Sequence, residues 1–250
     1  MVAGQTAYAT IRAALERGDH DEVLRLTDAT LAGRPGDDAA HELRARALLA
    51  LGRVEEAERH AADAVRLDPD EVRYRELLAT VLASRGAHRD AAVEFGWLAR
   101  NDPRQVAWAL AEAAERLDAA QEARGIEAAR RAARLEPDNV SAQLALARGL
   151  TRIGDARGAL AAAQRAVSLA PDEAGSREAL ADALWLTGRE AAAFAEFLAL
   201  LETMAGRDRR RVLAKARSLY RQQAGPLGRA LASVEPLFRF ALRFDWISVA

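Results

Sequence analysis

No cysteine occurs in the 250 residues, which excludes disulfides, thiolate-bound metals and a cysteine nucleophile. A cysteine-free chain fits a reducing compartment. Aromatic residues are scarce, with six Phe, four Trp and three Tyr, and Lys215 is the sole lysine. β-Branched residues are thinly spread between the loops, which disfavours a sheet protein. No run of about 18 uncharged apolar residues is present, so no membrane-spanning helix is expected. The N-terminal stretch MVAGQTAYATIRAALERGD has no basic segment followed by an apolar one. No secretory signal is therefore visible, and the expected location is the cytoplasm.

Catalytic and cofactor motifs are missing too. AGPLGRA (224–230) matches neither dinucleotide-binding nor P-loop spacing, and no Ser-centred GxSxG elbow occurs. Of the four histidines, His41 is followed by Glu42 but lacks the second histidine of a zinc-binding helix. His20 and His88 fall in inter-helix turns and read as exposed, while His60 reads as a surface or packing residue. No carboxylate pair stands out as an acid–base couple. The expectation is a chain with no catalytic residues, no metal and no cofactor.

What the chain does have is a period. Half of its residues are hydrophobic, dominated by the helix formers Ala and Leu. Pro35, Pro69, Pro103, Pro137 and Pro171 recur every 34 residues. Gly18, Gly52, Gly86, Gly154 and Gly188 share that register, with Ala120 at the missing place. Two alanine series run beside them, one of Ala57, Ala91, Ala159 and Ala193 with Val23 and Gly125 as exceptions, the other of Ala45, Ala79, Ala113, Ala147 and Ala181. The segment 42–71 then reads as helix, glycine break, helix, proline break. Gly52 supplies a positive φ after Leu51, Pro69 cannot continue a helix, and Asp70 is placed to cap the next one. Helices of about 13 residues, ~20 Å long, are marginal alone and must stack.

This small–Gly–small–Pro pattern resembles the tetratricopeptide repeat family over residues 4–207. The six repeats are 4–37, 38–71, 72–105, 106–139, 140–173 and 174–207. The family's early aromatic is replaced by His41, Arg75, Ala109, Gln143 and Arg177, and its later one survives as Phe95 and Phe197. The fourth repeat is degenerate at Ala120 and Gly125. The resemblance implies an all-α fold, a right-handed α-solenoid of helix-turn-helix repeats, and a non-enzymatic adaptor or scaffold. In that family the first helix of each pair lines a concave groove. Here the groove faces would be Tyr8/Arg12, Glu42/Arg46, Glu76/Thr80, Leu110/Ala114, Leu144/Arg148 and Glu178/Asp182, with Leu15, Leu49, Leu117 and Trp185 one turn on. Candidate contacts for a partner peptide or helix are therefore Tyr8, Arg12, Arg46, Arg148, Asp182 and Trp185. Glu42 and Arg46 can equally pair with each other. Members that clamp a chaperone's C-terminal carboxylate use Lys and Asn on these faces. This chain has only Asn101 and Asn139, both beside proline turns, so that role is disfavoured.

Residues 208–250 form a basic, aromatic-rich tail. Residues 207–250 carry ten basic and three acidic side chains, against 26 and 34 in residues 1–206. In 207–223, Val212, Leu213, Ala216, Leu219 and Tyr220 lie at helical spacing, as in a helix that covers the last repeat. Arg209–Arg211 stand at its N-terminal end, where positive charge is unfavourable unless an acidic group lies near. Nucleic-acid binding through this helix is disfavoured by the acidic body. Phe238, Phe240, Phe244 and Trp246 form a second candidate contact surface. That segment has three readings: it packs back on the solenoid, it meets a partner or a second copy in a homo-oligomer, or it lies on a membrane surface as in a membrane-peripheral assembly factor.

Overall fold

Alternating helix formers and helix breakers produce helices and little else. The computed structural model describes the backbone of residues 2–223 and the side chains of residues 8–222. Thirteen helices and no strand occur among the described residues. They are α1 (Val2–Glu16), α2 (His20–Gly33), α3 (Asp38–Ala50), α4 (Val54–Leu67), α5 (Val72–Ser84), α6 (His88–Asn101), α7 (Val106–Asp118), α8 (Glu122–Leu135), α9 (Val140–Arg152), α10 (Ala156–Leu169), α11 (Ala174–Leu186), α12 (Glu190–Thr203) and α13 (Gly206–Gln223). No described helix is long and apolar enough to cross a membrane. Phe238, Phe240, Phe244 and Trp246 lie outside the described residues.

The chain forms two compact units, Met1–Ala128 and Ala129–Ala250. In both, the small residues of the sequence period are the ones that vanish from solvent. Ala45, Ala79 and Ala113 in the first unit, and Ala147 and Ala181 in the second, have no exposed surface. The first unit's core is built from Ile11, Val23 and Leu43 around α1–α3, and from Leu48, Leu77, Val81 and Ala91 around α3–α6. The second unit gathers Phe194, Phe197, Leu200, Val212 and Tyr220 from α12 and α13.

Caps mark the helix starts, with one correction to the sequence reading. Asp70 does not cap α5. Glu71 holds that position, its carboxylate accepting from the Arg73 amide at 3.2 Å. The capping position lies two residues after the proline, and Asp37 and Asn139 occupy it at α3 and α9. His20 and His88 likewise belong to helices, as the first residues of α2 and α6.

The breaks after the first helices need a left-handed residue. Gly52 has φ +73°, and the Arg53 amide returns to the Leu48 carbonyl at 2.9 Å. The fourth turn keeps this geometry without glycine. Ala120 has φ +55°, and the Gln121 amide reaches the Arg116 carbonyl at 2.8 Å. The alanine Cβ is strained there, so Ala120→Gly is expected to stabilise the protein by about 1 kcal/mol, read as a raised midpoint in urea.

Candidate functional site

The fourth residue of each first helix fixes where that helix sits. His41, Arg75, Gln143 and Arg177 each donate to the carbonyl of the proline six residues earlier. The distances are 3.0 Å to Pro35, 2.7 Å to Pro69, 3.0 Å to Pro137 and 2.8 Å to Pro171. Three of the four also reach the residue 19 positions on, in the second helix of the pair. Arg75 bonds Glu94 at 2.8 Å, Arg177 bonds Glu196 at 3.1 Å, and His41 Nδ1 lies 2.9 Å from His60 Nδ1. Polar side chains thus replace the aromatic expected at this position, each tying a turn to its helix. Arg75 keeps a trace of the aromatic arrangement, its guanidinium lying 4.3 Å from the Trp97 ring. Ala109 in α7 can make neither bond.

The histidine version was missed in the sequence because the second imidazole comes from another helix. Of the two readings for His60 the packing one holds: it is half-buried and accepts from Arg44 Nε at 3.0 Å. Burial, then the charge of Arg44 and the neighbouring His41, push its pKa down to about 4. The informative signal is the 19-residue offset, visible as Arg75/Glu94 and Arg177/Glu196 once the repeats are aligned.

In the first unit, the candidate groove residues fall into two groups. Tyr8 is engaged within the chain. Its hydroxyl donates to Asp37, whose other oxygen caps α3 through the Ala40 amide at 3.0 Å. Burial and that carboxylate push the Tyr8 pKa up to about 12. Arg12 is exposed on α1. Arg46 Nε donates to the buried Glu42 carboxylate, so the intrahelical pair forms. Its guanidinium still borders an open depression of about 550 Å³ lined by Leu15, Arg46, Leu49, Ala50, Glu76, Leu77 and Thr80. All seven residues come from the first helices α1, α3 and α5, so the floor is apolar and the rim carries charge of both signs.

In the second unit the chain supplies its own partners. Lys215 of α13 bonds Asp182 at 2.5 Å and Glu178 at 3.3 Å, and Arg211 grips Glu178 with contacts of 2.6 and 2.8 Å. The acidic neighbour suggested by Arg209–Arg211 is therefore Glu178. Burial raises the pKa of Glu178, but hydrogen bonding from Arg211 and the charge of Lys215 outweigh it and leave the carboxyl low. At Asp182 burial wins over Lys215 and the pKa is raised. The two carboxylates thus push acid stability in opposite directions, because Glu178 loses stabilisation as pH falls and Asp182 gains it. Trp185 is half-buried, edge-on to Phe194 at 5.7 Å. Asp182 and Trp185 therefore serve the packing of α12 and α13. Arg148 is exposed, and its charge weakly opposes the rise at Asp182.

Two models of the tetratricopeptide repeat match the sequence, over residues 14–81 and 144–208. No curated protein matches it. Solved structures do. MamA from Desulfovibrio magneticus RS-1 has a TM-score of 0.60 at 18% identity, over 68% of this chain and 96% of that one. YrrB, a tetratricopeptide repeat protein with a peptide-binding site, has a TM-score of 0.58 at 14% identity, over 70% and 91%. TTC0263 from Thermus thermophilus has a TM-score of 0.53 at 20% identity, over 73% and 98%. Likeness at these identities is likeness of fold. With repeat models matching in both units on a 34-residue succession of helix pairs, the chain belongs to the tetratricopeptide repeat family.

Proposed function

We propose that the protein is a non-enzymatic adaptor that holds a peptide or helix of another protein against the first-helix face of its N-terminal unit. The observation that carries this reading is the depression between α1, α3 and α5. Leu15, Leu49 and Leu77 offer an apolar floor, and Arg46, Glu76 and Thr80 offer polar contacts at its rim. A pocket of this make-up suits an apolar side chain flanked by backbone or charged groups of a peptide. YrrB carries a peptide-binding site on the same fold, which supports the reading. Tyr8, Asp182 and Trp185 act mainly in packing, and Arg46 is the candidate that faces a ligand.

The test uses peptides selected from a random display library on the full-length protein. Arg46→Gln, which keeps a donor for Glu42, and Leu49→Glu are each expected to weaken the selected peptides at least tenfold, about 1.4 kcal/mol, with the helical circular dichroism retained. Trp185→Ala is expected to lower stability and leave affinity nearly unchanged. Peptide affinities untouched by both groove substitutions would refute the proposed site.

A further inference from the structure

We propose that His41, His60 and Asp63 form a binding site for one zinc ion, with water as the fourth ligand, bridging α3 to α4. One ligand atom from each residue lies within 4.8 Å of the other two. The two Nδ1 atoms are 2.9 Å apart, and an Asp63 oxygen lies 4.0 Å from His41 Nδ1. Ligands at zinc bond lengths of about 2.0–2.1 Å stand roughly 3.3 Å apart in a tetrahedron, so small side-chain rotations suffice. His60 and Asp63 are three residues apart on one face of α4, and His41 faces them from α3.

The surroundings of His41 are those of a metal ligand. Its Nε2–H donates to the Pro35 carbonyl, which leaves Nδ1 unprotonated and aimed at the partner imidazole. The comparison with the other repeats points the same way. Where α5 and α11 carry the charge pairs Arg75/Glu94 and Arg177/Glu196, this repeat sets two imidazoles and a carboxylate at the same cross-helix place. Two nitrogens and one oxygen suit zinc among the borderline divalent ions.

Arg44 opposes binding. Without metal, its Nε–H donates to His60 Nε2, so the His60 proton sits on Nδ1 and points at His41 Nδ1. For zinc to bind, that proton moves from Nδ1 to Nε2 of the same ring, with no net proton released. Arg44 then turns to acceptors its Nη1 already reaches, Asp28 at 2.6 Å and the Leu24 carbonyl at 3.2 Å. Arg59 and Arg66 add positive charge nearby, and Arg66 holds Asp63 at 2.9 Å.

The experiment is a zinc titration of tag-free, full-length protein by calorimetry, with cobalt(II) absorption as a spectroscopic check on four-coordinate geometry. One equivalent of zinc is expected, with a raised melting temperature. Asp63→Asn should weaken binding about tenfold, and Arg44→Met, which removes the competing donor, should tighten it about tenfold. His60→Ala should abolish the cobalt bands while circular dichroism confirms the helices. Absence of saturable binding would overturn the proposal. Affinity unchanged in both His60→Ala and Asp63→Asn would also overturn it, because it would mean adventitious surface zinc only.

Discussion

Phe194→Ala is expected to destabilise the second unit by about 3–5 kcal/mol. Phe194 is 1% exposed, and its ring lies 5.7 Å from Trp185, 6.5 Å from Phe197 and 5.8 Å from Tyr220. It joins α11, α12 and α13 in a chain otherwise short of aromatics. The truncation removes transfer energy and leaves a cavity that three large rings cannot easily collapse into. Repeat proteins distribute stability by neighbouring interfaces, so the loss should fall on the C-terminal helices. In guanidinium, the variant should show an early transition in the emission of Trp185 while the N-terminal unit unfolds near its original midpoint. A loss under about 1 kcal/mol would mean that α13 contributes little to the fold.

Gly125→Val is expected to cost about 1–3 kcal/mol, although glycine is a poor residue for the middle of a helix. A Cβ at position 125 would lie 2.8 and 2.9 Å from Leu117 side-chain atoms and 3.2 Å from the Leu117 amide nitrogen. The side chain can rotate, but the backbone of α7 cannot yield as cheaply. The check is a double-mutant cycle. Leu117→Ala should remove most of the penalty of Gly125→Val, and additive losses would show that the contact is not its source.

The two substitutions fall on opposite sides of what the sequence discloses. Helix breaks and close crossings demand special residues, so the prolines, turn glycines and buried alanines report the period without any structure. The later aromatic Phe197 and the apolar face of α13 follow from the same logic of burial. Cross-helix partners are less legible, because many polar residues share a spacing and only the packing angle selects among them. That is why His60 read as a surface or packing residue with no histidine partner, and why the contacts of Lys215 with Asp182 and of Phe194 with Trp185 were not legible. Caps fail by a narrower margin. Both Asp70 and Glu71 carry a carboxylate, and which one caps depends on the backbone just after Pro69. Ala120 shows the reverse case, a turn imposed by its neighbours on a residue that does not favour it.

The proposed binding face can be mapped by methyl NMR on leucine-labelled protein, titrated with a library-selected peptide. The expected result is shift changes concentrated at Leu15, Leu49 and Leu77, with Leu184, Leu200 and Leu213 of the second unit unmoved. Shifts confined to the second unit, or absent from all three groove leucines at saturation, would contradict a peptide seated between α1, α3 and α5.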